Sequence, residues 1–259
     1  MKIASLILIF ICAVLPAAAQ AMTFDQWQAG APNPNGAASS GGVIYTNVGQ
    51  VKGELFLVDA YWPCPSLTAT ITDNGGNKYH PIGSRVTSGG VAFQHWYAVN
   101  RVDESEYAAI TITLSGSCAA KGAAFDSFYI DLISVKGIDA KTPIDAATVV
   151  TGTGTTAAMS LKSGTPAESE TMLAVFLTAG VGAPYTTTTG WTPWGAGEAV
   201  AGNEYKAGVT ARTTATVTAA SPSPWGGILY GIRPGTSGTG TLIRGGGGGG
   251  TMAVDSLDP

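Results

Sequence analysis

Short runs of alternating apolar and polar residues, bounded by Gly, Pro, Asn or Asp, recur along the chain. GELFLVDAYW (53–62), LTATITD (67–73), VAFQHWYAV (91–99), AAITITL (108–114) and FYIDLISV (128–135) are rich in β-branched and aromatic residues and read as strands. In AAITITL, Ile110, Ile112 and Leu114 take one face while Thr111 and Thr113 take the other. The second half repeats the style in TAAMSL, ETMLAVFLTAG, YKAGVTAR, TATVTAA and WGGILYGI. Beyond residue 21 no run sustains a helical period. Strands at this spacing, without crossover helices, predict antiparallel sheets packed as an all-β, two-sheet sandwich of jelly-roll type.

Two stretches echo one another. KGELFLVDAYW (52–62) and ESETMLAVFLTAG (168–180) each lead from polar, acidic residues into a continuous apolar run. Continuous apolarity marks strands covered on both faces, so the pair is expected to supply matching central strands. KGIDAKTPIDAATVVTGTGTT (136–156) lacks strong periodicity and is expected to cross between sheets.

The ends of the chain differ from this pattern. Residues 1–21 combine Lys2, an apolar run too short to span a bilayer, and Ala19 and Ala21 in small-x-small spacing. This is the form of a secretory signal peptide, with a mature chain expected from Met22. The sandwich is expected over 22–233, and a Gly-rich tail over 234–259, where six consecutive glycines suit a flexible linker or a segment for self-association. No second apolar run reaches transmembrane length, so the expected location is secreted, at the cell surface or periplasmic. Only 12% of residues are charged, and the formal net charge is −4. Neither nucleic acid nor an anionic membrane suits a chain without clustered Lys and Arg. Cys64 and Cys118 remain after processing, and an exporting compartment favours a disulfide between them over two separate thiols.

Candidate chemistry is sparse. The DNGGN stretch of TITDNGGNKYHPIG holds Asp73, Asn74 and Asn77, oxygen donors of the kind Ca²⁺ prefers, yet the same letters suit a hairpin turn needing positive φ. A calcium ion there is the one cofactor to consider. His80 and His95 are the only histidines, and neither belongs to an HExxH pairing. No G-x-S-x-G elbow occurs. Glu54, Asp59, Asp131, Glu170, Glu198 and Glu204 lie in or beside predicted strands, where two facing carboxyls would make a glycosidase. Trp191 and Trp194 in GWTPWG, and Trp225 in SPSPWGG, lie in Gly- and Pro-punctuated loops. Exposed, these indoles would stack on sugar C–H faces; buried, they would cap the ends of the core. Trp62 and Trp96 are expected in the core.

GELFLVDAYW, TITDNGGNKYHPIG, FQHWYAVNRV, AITITLSG and FYIDLISVKG together resemble a widespread, poorly characterised group of exported or phage-associated bacterial β-sandwich proteins. Asp73, Gly76, Asn77 and Tyr79, in a T-D-x-x-G-N-x-Y hairpin, carry most of the likeness, which spans roughly residues 40–232. The resemblance implies a jelly-roll-like sandwich and supplies no catalytic residues. The leading expectation is a secreted, non-catalytic protein binding a glycan or cell-surface polymer through Trp191, Trp194 and Trp225. The second is a structural subunit of an extracellular or virion-associated assembly. A third, a polysaccharide-degrading enzyme, needs two carboxyls across a cleft.

Overall fold

A computed structural model describes residues 22–30, 42–45, 51–103, 109–116, 129–178, 185–194 and 201–235. Among these residues there is no helix that could cross a membrane. The first half builds β1 (Thr23–Gly30), β2 (Gly42–Tyr45), β3 (Leu55–Pro63), β4 (Thr68–Asp73), β5 (His80–Pro81), β6 (Val86–Ser88), β7 (Val91–Val99), β8 (Ala109–Ser115) and β9 (Tyr129–Lys136). The second builds β10 (Ile144–Gly154), β11 (Ala158–Lys162), β12 (Glu170–Thr178), β13 (Thr192–Trp194), β14 (Ala201–Val209), β15 (Thr214–Thr218) and β16 (Trp225–Ile232). The all-β, antiparallel, jelly-roll-like expectation holds. The sandwich is, however, built twice.

In the first half β1-β9-β3-β7-β5 form one sheet, with β6 also on β7, and β2-β8-β4 form the other. In the second half the order β10-β16-β12-β14-β13 repeats the large sheet, and β11-β15 the small one. A bridge from Thr186 to Thr218 stands where β4 pairs with β8 in the first half. Each half therefore winds as a jelly roll, its outermost strands brought together by long returns.

The register makes the equivalence residue-specific. Leu57 lies opposite Tyr97, and Leu173 opposite Tyr205. His80 and Pro81 lie opposite Tyr97 and Trp96 as Thr192 and Pro193 lie opposite Tyr205 and Glu204. Val135 faces Leu55 as Ile232 faces Thr171. The residues just outside these pairs form matching ion pairs: Lys136 reaches Glu54 at 2.9 Å, and Arg233 reaches Glu170 at 3.8 Å. The echo in the sequence is thus one strand of a whole repeated topology, and β3 and β12 are both central strands, with two strands to either side along the order of their sheets.

Three apolar layers hold the four sheets together. Odd-numbered β3 residues such as Leu55, Leu57 and Tyr61 pack with Phe93 and Ile133 against Leu173, Val175, Ile228 and Tyr230, joining the two large sheets. Even-numbered Phe56, Val58 and Trp62 pack outward on Ile110, Ile112 and Leu114 of the first small sheet. Met172, Ala174 and Phe176 do the same against Met159, Leu161 and Val217 of the second. Both faces of β3 and β12 are covered, which explains their continuous apolarity. A Cβ at Gly226 would collide with the Phe93 ring, so glycine is what lets the large sheets approach there.

One expectation is corrected. The stretch 136–156 is not simply a crossover, because Ile144–Gly154 forms β10, paired along β16. Its period is hidden by a register shift between Asp145 and Val150 and by two glycines, Gly152 against Leu161 and Gly154 beneath the Trp225 indole.

Candidate functional site

The sandwich interior holds an unexpected polar row. β7, β3 and β9 place His95, Asp59 and Asp131 side by side, because Asp59 lies opposite both His95 and Asp131 in register. The His95 Nδ1 and Asp59 Oδ1 atoms are 2.6 Å apart, and all three residues are fully buried. From the facing sheet, Asn203 Nδ2 donates to Asp131 Oδ2 at 2.8 Å. Tyr230 lies within the field of both carboxylates, and burial, then Asp59 and Asp131, push its phenol well above its ordinary pKa. A His–Asp pair has the chemistry of a general base and its orienting group. Here it is sealed between two sheets, away from any substrate. The two facing carboxyls sought in the sequence thus exist as Asp59 and Asp131, but in the core rather than across a cleft.

Other acidic residues are also taken up internally. Glu170 and Asp145 are buried beside Arg233, whose Nη2 lies 3.1 Å from Asp145 Oδ1. Glu204 accepts the Thr188 N–H at 2.9 Å and the Thr216 N–H at 3.1 Å, tying the 185–188 segment to β15. Glu198 and Cys118 lie outside the described residues. Cys64, just after β3, is half-buried at a φ of 72°, and its pairing with Cys118 stays an expectation from the sequence.

DNGGN is a tight turn closed by its own side chains, but not a hairpin, because it carries the chain from β4 in the small sheet to β5 in the large one. Asp73 Oδ1 accepts the Asn77 N–H at 2.9 Å, and Oδ2 accepts Asn77 Nδ2 and the Tyr79 hydroxyl, each at 2.8 Å. Asn74 Oδ1 accepts the Ala109 N–H, Asn77 Oδ1 accepts the Arg101 N–H, and Gly76 supplies a φ of 70°. The polar letters of the T-D-x-x-G-N-x-Y pattern are therefore one hydrogen-bond network. Its oxygens are occupied by donors of the chain, a poor fit to a calcium cage. Among the described residues no group of three His, Cys, Asp or Glu is arranged to hold a metal.

The expectation of an exposed tryptophan platform is not met at two of its three positions. Trp191 and Trp225 are each only 6% exposed and belong to the core over the second small sheet. Trp191 precedes Thr192 as Tyr79 precedes His80, and both rings pack inward on their small-sheet cores. Trp225 lies edge-on to Phe176 with centroids 5.9 Å apart. Trp194 ends β13, and its side chain lies outside the described residues. Trp62 and Trp96 are in the core, as expected.

A different site emerges at the seam between the halves. Lys78, His80, Tyr97, Val99 and Arg101 from the first half meet Ala140, Lys141 and Pro143 from the connection to the second, around a pocket of about 190 Å³. The His80 and Tyr97 rings lie together, centroids 5.3 Å apart. Lys78, His80, Arg101 and Lys141 are exposed, and among the described residues no carboxylate lines the pocket. Nearby Asp139 accepts the Lys141 N–H and the Thr142 hydroxyl at 2.9 and 2.7 Å; that hydroxyl above all holds it below the usual carboxylate range. Sequence reading missed this site because its cations come from three segments and join only when the two halves dock. The repeat held the one available signal: at the places of Lys78 and His80 the second half carries Gly190 and Thr192.

No protein family matches this chain, and neither a characterised protein nor a solved structure matches it.

Proposed function

We propose that this chain is a secreted, non-catalytic binding protein that recognises a glycan or cell-surface polymer, with the seam pocket as its contact point. The supporting observation is the pocket itself: a concave site at an interface between units, with polar groups converging around a Tyr97–His80 ring pair. The same fold in the second half does without Lys78 and His80, so the jelly roll does not need them. The His95–Asp59 pair, which would favour catalysis if open, is enclosed. Jelly rolls serve lectins among other roles, an analogy of fold alone.

A glycan-array screen of the chain from Met22, beside a Tyr97→Ala variant checked by thermal melt, tests this reading. Binding is expected, and is expected to fall at least several-fold in the folded variant. An array with no bound glycan, and a multimeric mass by light scattering, would replace it with the assembly-subunit reading.

A further inference from the structure

We propose, resting on that binding reading, that the seam pocket selects acidic sugars, taking one ring that carries a carboxylate or sulfate. Three cations, Lys78, Arg101 and Lys141, line it in a chain of net charge −4. Among the described residues none of the three has an ion-pair partner, whereas Lys136 and Arg233 are matched to Glu54, Asp145 and Glu170. Like charges gathered in a concavity raise the local concentration of anions. An Arg fork and two ammonium groups are suited to carboxylate or sulfate oxygens.

Size and shape narrow the ligand further. About 190 Å³ is smaller than the roughly 300 Å³ at which drug-sized pockets begin, so it admits one ring rather than a length of polymer. Within a mostly polar lining, the Tyr97 and His80 rings offer the face against which a sugar's C–H groups can stack. The backbone is prepared as well: Asn77 Oδ1 accepts the Arg101 N–H at 2.9 Å, fixing the base of the Arg101 side chain to the DNGGN turn that also carries Lys78. The turn's network thereby acquires a role, holding two cations at the pocket, to which the connection between halves adds Lys141.

The test is binding of the chain from Met22 to an oligouronate, to its methyl ester and to a sulfated oligosaccharide of similar length, over a range of salt concentrations. Oligouronate or sulfated binding should weaken as salt rises, the methyl ester should not bind, and Lys78→Ala with Arg101→Ala should weaken binding about tenfold or more, as loss of charged hydrogen bonds does. Lys141→Gln, remote from the turn, should give a smaller loss and guards against misfolding of the double variant. The relative strength of the uronate and the sulfated arm shows which anion is preferred. Equal binding of ester and acid, or binding indifferent to both sets of variants, would overturn the anion site while leaving glycan recognition intact. No binding of any of the three would overturn the proposal outright.

Discussion

Glu170 illustrates what burial does to a single side chain. It is fully buried, and burial, then the neighbouring Asp145, push its carboxyl up to about 8. Asp145 moves the opposite way. Burial opposes its ionisation, yet hydrogen bonds from Glu170 and from the Ala147 and Ala167 N–H groups, with the charge of Arg233, hold it below its usual value. One proton is therefore shared by the pair near neutrality. A raised acid binds its proton more tightly folded than unfolded, so its stabilisation is complete below about pH 4.5 and is lost as pH rises towards about 8. Buried Glu204, also raised, adds in the same direction. The melting temperature should fall from pH 5 to pH 8.5, by at most about 1.4 kcal/mol of stability per pH unit per group. Glu170→Gln, which can still donate to Asp145, should flatten most of that slope in a series of thermal melts; an unchanged slope would contradict the shared proton. Sequence alone shows Glu170 only as an acidic residue at a strand start. Its partners lie 25 and 63 positions away in the chain and meet it only after β10 and β16 have paired.

At the scale of elements, the turn between β4 and β5 can be separated experimentally from a metal loop. Asp73→Ala removes the acceptor for three donors and should cost about 1–3 kcal/mol, read in urea unfolding. Added millimolar Ca²⁺ should leave the melting temperature of the parent unchanged, and a rise of several degrees would restore the calcium reading. Strands with clear alternation or long apolar runs were legible: VAFQHWYAV is β7 residue for residue, and FYIDLISV is displaced from β9 by one. β10 was not, because a strand whose glycines accept a leucine and an indole shows no side-chain period. Which way the tryptophans face was not legible for a related reason. Gly and Pro around GWTPWG mark a turn correctly, but whether a turn's indole points outward depends on the sheet beneath it. The pocket was illegible for the same cause, since Lys78, Arg101 and Lys141 look like ordinary surface charges until the seam closes.

For the molecule as a whole, the decisive fact is that the two jelly rolls share a core. Leu55, Leu57, Phe93 and Ile133 would be exposed in a first half standing alone, and Leu173, Val175 and Ile228 in the second. Calorimetry should accordingly show one transition, with calorimetric and van't Hoff enthalpies in agreement; two separate peaks would mean that the halves are independent. The duplication was barely legible in sequence, where the scattered identities of Glu54 with Glu170, Leu57 with Leu173, Pro81 with Pro193 and Tyr97 with Tyr205 align only once the register is known. Two like sheets in one chain also raise a problem of pairing, since each could dock on a copy of itself from another molecule. The polar row answers it. Two first halves face to face would trap both Asp59–Asp131 pairs in one dry layer without Asn203 to donate to them, and two second halves would bury Asn203 with no carboxylate to receive it. Only unlike halves bring the Asn203 amide to Asp131, so this single contact distinguishes the native pairing of the sheets from either pairing of like with like.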